Sequence, residues 1–251
     1  MPGGKRQQPV RYSRQPVHHT KSRWLSLPGI GIFIAVFTAL ALWLDKVGPR
    51  FYHFTPQGLN TIVQETLSSQ SALQNLPIDS LNTTILLTDL LERIKVAYPD
   101  TQVQTDFLDR NEWVWNNAGG AMGSMYIIHA SITEYLIIFG SAVGTEGHSG
   151  RHTADDYFHI LKGLQTAFLP GELEPEVYPA GAVHHMRRGD VKQYKIEAET
   201  WALEYAQGWI PLMLPFGMAD TVFSTLDIGS FYKTAYLTGR AMIQNLLRGK
   251  I

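Results

Sequence analysis

The chain contains no cysteine. A disulfide framework, a thiolate nucleophile and any cysteine-held zinc or iron–sulfur site are thereby excluded. Charge is also scarce: Asp, Glu, Lys and Arg make up 17% of the 251 residues, against 45% hydrophobic. The formal net charge is −1, so no global field attracts nucleic acid, and none is expected as a partner. Phosphate-binding signatures are missing as well. "NAGGAMGSM" (Asn117 to Met125) is glycine-rich, but no Lys-Ser/Thr follows it and it does not open a helix. Tight turns or close backbone packing account better for Gly119, Gly120 and Gly123. There is no H-E-x-x-H helix, and no internal repeat.

The charge that is present is unevenly placed. The first 23 residues hold Lys5, Arg6, Arg11, Arg14, Lys21 and Arg23 with no acid. With Pro2, Pro9 and Pro16 they read as a disordered basic tail, 1–23. The uncharged run "WLSLPGIGIFIAVFTALALWL" follows, from Trp24 to Leu44. At ~1.5 Å per helical residue it just spans a ~30 Å hydrocarbon core. Trp24 and Trp43 sit near its ends, where interfacial aromatics concentrate. The run is longer than a signal-peptide h-region, and no small-x-small cleavage site follows it. It is expected to be a retained single-pass anchor, 24–44, in contact with the lipid bilayer. The positive-inside rule then places the N-terminus in the cytosol and the rest of the chain across the membrane. The "NTT" sequon at Asn82 is compatible with that side.

Beyond the anchor, 45–110 reads as helical. Thr55 is a plausible N-cap with Pro56 at the first helical position, and Leu59, Ile62, Val63 and Leu67 recur at helical spacing. Ile85, Leu86, Leu90, Ile94 and Val96 repeat the pattern up to Pro99. A polar turn is expected between the two helices near Ser68–Pro77. The texture changes over 111–210, where short β-branched and aromatic runs alternate with glycines, as in an antiparallel barrel or sandwich. The segment 211–251 returns to helical spacing with a break near Asp227–Gly229. Its uncharged stretch from Gly208 to Ala219 is too short to span a bilayer, so helices lying on the membrane surface, or core helices, are expected. The fold class is therefore α+β.

Two stretches carry candidate chemistry. In "GHSGRHTADDYFHI", His152, Asp155, Asp156 and His159 would share one face of a helix and resemble a metal-ligand cluster. The competing reading is a glycine turn, with Ser149 or Thr153 capping a helix and the two aspartates complementing its dipole. That second reading is preferred, and no metal is assigned. The pair His184–His185 reads as surface or packing. "TWALEYAQGWI" places Glu204 among aromatics. Strand alternation puts Ala202, Glu204 and Ala206 on one face and Trp201, Leu203 and Tyr205 on the other. Small neighbours can line a cavity around the acid, or the face can be wet; alternation does not decide.

Read together, "EWVWNNAGGAMGSMYIIHASITEYLIIFGSAVGTEGHSGRH", "TWALEYAQGWIP" and "MADTVFSTLD" resemble the family of fungal sterol C-8 isomerases and animal sigma non-opioid receptors, from about Phe51 onward. The long basic tail and "HTADDYF" look like the isomerase branch. The resemblance implies an N-terminal transmembrane helix, a cupin-like antiparallel β-barrel and two C-terminal amphipathic helices packed on the membrane. It also implies residence in the endoplasmic-reticulum membrane with the barrel on the lumenal side, a homotrimer, and no cofactor. The implied reaction of ergosterol biosynthesis moves a sterol double bond from the 8 to the 7 position; a non-catalytic receptor-like protein binding sterols or cationic amphiphiles is the alternative. A metal-dependent cupin enzyme is a third reading. The receptor's ligand-pairing glutamate falls on Glu204 and its pocket tyrosine on Tyr135. The receptor's second acid falls on Phe158 when aligned without gaps, while its preceding acid matches Asp155. Asp155 is therefore expected as the second carboxylate, with Asp156 in reserve. Trp113, Phe158, Trp201, Tyr205 and His148 are assigned with Tyr135 to substrate contact.

Two carboxyl groups suffice for such a shift if one is held protonated and the other can accept. An apolar pocket favours the neutral acid and keeps water from trapping the carbocation. Aromatic faces can stabilise that cation. The same pocket is expected to bind hydrophobic amine inhibitors, whose ammonium mimics the intermediate.

Overall fold

The computed structural model describes residues 27–251. The basic tail and Trp24 lie outside the described residues. The chain divides into two units between Leu44 and Asp45. Helix α1 (Leu27–Val47) is apolar all round. Every residue from Ile30 to Trp43 is exposed. A helix with no polar face has nothing to turn toward water. Among the described residues it is the one helix long and apolar enough to cross a membrane.

The second unit begins with two amphipathic helices. Thr55 caps α2 (Pro56–Gln74) by accepting from the Gly58 N–H at 3.1 Å, and Pro56 opens it. Asn82 caps α3 (Thr83–Ala97) by accepting from the Ile85 N–H at 3.1 Å. The expected polar turn at Ser68–Pro77 is corrected: α2 runs on to Gln74 and ends at Asn75 in a left-handed conformation, φ 51°. Its serines do not break the helix because their hydroxyls bond back to the preceding turn, Ser68 Oγ to Gln64 O and Ser69 Oγ to Thr66 O. Gln70 is buried against Asp89 of α3 at 2.9 Å.

Ten strands follow: β1 (Trp113–Ala118), β2 (Ala121–Ala130), β3 (Glu134–Ser141), β4 (Thr145–His148), β5 (Ala154–Lys162), β6 (Leu164–Phe168), β7 (Glu176–Pro179), β8 (Val183–Met186), β9 (Gln193–Ile196) and β10 (Thr200–Gly208). They form a six-stranded sheet in the order β1-β2-β3-β10-β5-β8 and a four-stranded sheet in the order β4-β9-β6-β7. All pairings are antiparallel. Gly119 and Gly120 form the two-residue β1–β2 turn, both at positive φ (64° and 84°), as their placement in the sequence suggested. The helical readings of 154–162 are corrected: β5 is held between β10 and β8. Alternation of Asp156, Phe158 and Ile160 on one face outweighs the local capping pattern, because both edges of the strand find backbone partners there.

The six-stranded sheet is buried on both faces. On one, α2 and α3 contribute Leu59, Val63, Leu67, Leu86, Leu90 and Ile94, packed against Tyr126, Leu136, Leu203 and Tyr205. On the other, Met125, Ile137, Phe139, Phe158, Ala202 and Ala206 meet Ile196 of the smaller sheet and Leu237, Ala241 and Met242 of the last helix. The chain ends in α4 (Leu214–Phe223) and α5 (Ile228–Leu247), with Asp227 capping α5 through the Ser230 N–H at 2.9 Å. Of the apolar residues at helical spacing here, Leu237 turns inward, while Phe223, Leu226, Tyr232 and Tyr236 stay exposed.

An acid that the sequence reading left unremarked closes the unit. Glu134 is fully buried. It accepts from Lys250 Nζ at 2.5 Å, the Tyr205 hydroxyl at 2.7 Å and the backbone N–H groups of His53 and Phe54 at 2.8 and 2.9 Å. One carboxylate thus ties the start of the unit, the sheet and the C-terminal segment together. Breaking a buried pair by removing one charge leaves the other uncompensated. Glu134→Gln is expected to lower the unfolding free energy by ~3 kcal/mol or more, read as a fall in Tm of the purified protein; an unchanged Tm would contradict this role.

Candidate active site

Strand β10 lies at the centre of the larger sheet, and its alternation decides the site. Trp201, Leu203 and Tyr205 point toward the α2/α3 core, while Ala202 and Ala206 belong to the opposite cluster with Glu204 between them. On that side a cavity of ≈ 1220 Å³, its open mouth included, is lined by Glu204, Tyr135, Phe158, His148, Tyr194 and Met125, among others. Residues of α4 and α5, including Phe216, Thr221, Phe231 and Thr234, complete the wall. Glu204 keeps part of its surface open to this space, so the acid is inside and not on a wet face.

Pairing registers identify its neighbours. Glu204 stands opposite Phe158 and Ala206 opposite Asp156, so Asp156 shares the Glu204 face one pair along. Asp156 is fully buried. Burial raises the Glu204 carboxyl well above its ordinary range, and the charge and hydrogen bonding of Asp156 push the same way. Neither Asp156 oxygen has a well-aligned hydrogen bond among the described residues. His152 Nδ1 approaches Oδ2 at 3.3 Å while its Nε2 meets Ser149 O at 2.7 Å. Burial pushes the His152 imidazole down, but the hydrogen bond and charge of Asp156 outweigh it and the net shift is upward. Desolvation and the neighbouring Asp156 thus favour the neutral form of Glu204. Tyr135 reaches Thr238 Oγ1 at 3.2 Å, and burial raises its phenol, as it does that of Tyr194.

Several sequence assignments are corrected. Asp155, expected as the second carboxylate, points out of the opposite face of β5, where His185 Nε2 at 3.2 Å and the Arg188 N–H at 3.2 Å hold it. The strand reading explains this: adjacent residues cannot share a face. Trp113, Trp201 and Tyr205 do not line the cavity. Trp113 and Trp201 meet edge to face at 5.8 Å in the α2/α3 core, and the Tyr205 hydroxyl bonds Glu134. Tyr135, Phe158 and His148 do line it. The metal-like cluster does not converge: His152 turns to Asp156, Asp155 to His185, and His159 Nδ1 to Leu203 O at 3.2 Å. Among the described residues no group of three or more His, Asp or Glu could hold a metal ion. Trp115, Tyr194, Gln165 and His184 were missed as lining residues. His184 and His185 are split by the alternation of β8, His184 inward and His185 stacked on Tyr157 at 4.2 Å.

The raised Glu204 carboxyl has a stability signature. A folded-state pKa above the unfolded one adds stability that is complete below the unfolded value and is lost as pH rises toward the folded one. Above the ordinary value of 4.5, therefore, the native protein is expected to lose stability to this group with rising pH. Glu204→Gln should show a shallower decline in thermal unfolding measured across that range. Parallel profiles for the two proteins would mean that Glu204 ionises normally.

Known proteins similar to this chain share one family. The family model for ERG2 and Sigma1 receptor like protein matches residues 31–250. The chain is 54% identical to a C-8 sterol isomerase of Aspergillus fumigatus, covering 88% of this chain and 87% of the relative. It is 52% identical to a C-8 sterol isomerase of Neurospora crassa over 90% and 83% of the two chains. The sigma non-opioid intracellular receptor 1 of Xenopus tropicalis is 30% identical over 88% and 93%. Among solved structures, an RmlC-like cupin with a double-stranded β-helix from Methanocaldococcus jannaschii overlaps 37% of this chain and 84% of its own, at 14% identity and a TM-score of 0.30. With a match that runs from the apolar helix to the last residues, the chain belongs to the family of ERG2 and Sigma1 receptor-like proteins.

Proposed function

We propose that this chain is a cofactor-independent sterol C-8 isomerase in which Glu204, backed by Asp156, moves the proton. The observation that carries the reading is Glu204 on one wall of a largely apolar cavity, favoured in its neutral form and backed by the fully buried Asp156. The curated relatives named C-8 sterol isomerase, at about half identity over most of the chain, support the reaction class.

Neutral Glu204 donates its proton to carbon 9 of the 8(9)-alkene, leaving a tertiary cation at carbon 8. The Glu204 carboxylate so formed, with Asp156 hydrogen-bonded behind it, removes a proton from carbon 7, and the electron pair of that C–H bond becomes the new 7(8) double bond. Glu204 is thereby neutral again, and between turnovers its proton exchanges with water at the open mouth of the cavity. The Phe158 ring, directly opposite Glu204 in register, offers its π face to the cation at ~0.5–2 kcal/mol. The enclosing walls limit the water that would convert the cation to an alcohol.

The same reading takes α1 as a single-pass anchor in the endoplasmic-reticulum membrane, with the cupin-like barrel on the lumenal side, and the exposed apolar residues of α4 and α5 as lying on the bilayer. Phe223, Leu226, Tyr232 and Leu247, 84%, 73%, 70% and 83% exposed, support that placement, since exposed apolar surface of this extent seeks lipid or protein. The homotrimer and the binding of hydrophobic amines rest on the family resemblance.

In a membrane assay, Glu204→Gln and Asp156→Asn are each expected to lower turnover at least ~100-fold, whereas Asp155→Asn retains it within a few-fold. Normal turnover by either of the first two would sink the carboxyl-pair mechanism. With heavy water as solvent, the product sterol is expected to carry one deuterium at carbon 9, read by mass spectrometry with NMR assignment. A product free of deuterium there would mean that the incoming proton is not drawn from an exchangeable acid.

A further inference from the structure

Glu204 accounts for one wall of the cavity and leaves another polar group unused. Gln165 of β6 is 1% exposed and lines the cavity. Its Oε1 meets His184 Nδ1 at 2.9 Å, and its amide Nε2 makes no hydrogen bond to any described residue. His184, itself fully buried, meets Lys192 Nζ at 3.2 Å through its other nitrogen. Lys192 in turn reaches both oxygens of Glu176 at 2.7 and 2.5 Å, and Tyr178 donates to Glu176 at 2.6 Å. None of these groups takes part in the proton transfer.

Their donor and acceptor roles are forced in sequence. A lysine ammonium has three protons to donate and no acceptor. Two go to Glu176 and the third to His184 Nε2, which must therefore be the unprotonated nitrogen. Burial and the Lys192 charge hold the imidazole neutral by lowering its pKa to about 4. The single imidazole proton then sits on Nδ1 and is donated to Gln165, so the Gln165 oxygen faces His184 and its NH₂ group faces the cavity. The outcome is a fixed, buried, unpartnered donor in a largely apolar space. Such a donor costs free energy unless a ligand acceptor fills it.

Its position suits one acceptor. Glu204, Phe158 and His184 stand in one row across β10, β5 and β8, so Glu204 and His184 are two strand spacings apart, ~10 Å between backbones. In a steroid the 3-oxygen lies roughly 6 Å from the B-ring alkene carbons, from C–C bonds of ~1.5 Å. The side-chain arms and one hydrogen bond take up the difference. Given the isomerase reading, on which this rests, we propose that Gln165 is the group that recognises the sterol 3-hydroxyl, and that the His184–Lys192–Glu176–Tyr178 chain exists to hold its NH₂ group as the donor. A 3-hydroxyl held here sets how far ring B extends along the wall that carries Glu204. Gln165 is thus a substrate-binding residue, and His184 and Lys192 are positioning residues.

The test compares a Δ8 sterol with its 3-deoxy analogue as substrates of the full-length protein in membranes. The ratio of kcat/KM for the two is taken within each enzyme, so the fraction of folded protein cancels. Wild type is expected to favour the 3-hydroxy substrate by about ten- to a hundred-fold. In Gln165→Met the ratio is expected to fall to near one, chiefly through loss of activity on the 3-hydroxy sterol. Gln165→Asn, which keeps an amide but draws it back by one methylene, should give a reduced ratio and serves if the Met variant does not fold. A wild-type ratio near one, or ratios in both variants equal to wild type, would overturn the proposal. Failure of the carboxyl-pair reading shows separately, as Glu204→Gln that still turns over either substrate.

Discussion

Everything in the catalytic unit depends on β10 being buried on both faces. The sheet is covered by α2 and α3 on one face and by the smaller sheet with α5 on the other, so β10 offers neither side to bulk water. One face therefore carries bulk, Trp201, Leu203 and Tyr205, against the helices. The other carries Ala202 and Ala206, whose small side chains leave space, and Glu204, which occupies part of it. Desolvation on that inner face favours the neutral form of the carboxyl. The second sheet and the two C-terminal helices close the space over it.

Buried acids play two opposed parts in this molecule. Glu134 is matched by the Lys250 amine, a hydroxyl and two backbone N–H groups, so its oxygens are satisfied and it joins three distant segments. Glu204 faces a second carboxyl and a cavity, and Asp156 has no well-aligned partner. The first arrangement lowers the energy of the ground state. The second disfavours charge on Glu204, which is the condition that the proposed proton transfer requires.

The periodic parts of the fold were legible in the chain. The caps Thr55 and Asn82, the helical spacing of Leu59 to Leu67 and of Leu86 to Ile94, the glycine turn at Gly119–Gly120 and the long apolar helix all follow from short-range rules. Glu204 was legible as an acid in unusual company, and Tyr135, Phe158 and His148 as its companions. Asp155 was taken from its match to an acid of the receptor, and Trp113, Trp201 and Tyr205 for their aromatic character. In a strand the immediate neighbour is the residue that points away, so Asp155 leaves the Glu204 face, and Trp201 and Tyr205 follow their alternation into the helical core. The segment 154–162 compounded this, since its aspartates after a glycine turn imitate a helix start.

By itself the sequence determined the local elements, the absence of thiol chemistry, the membrane-length helix and the family, because each rests on spacing or composition within one stretch. Only the tertiary structure decided which face of β10 looks into the cavity, that Asp156 and not Asp155 stands beside Glu204, and that Gln165 lines the same space. Those outcomes depend on strand register and on hydrogen-bond partners drawn from segments far apart in the chain. An acid flanked by alanines reads the same in a list whether its face is wet or enclosed. What distinguishes the cases is the second sheet and the α4–α5 pair, which remove the water.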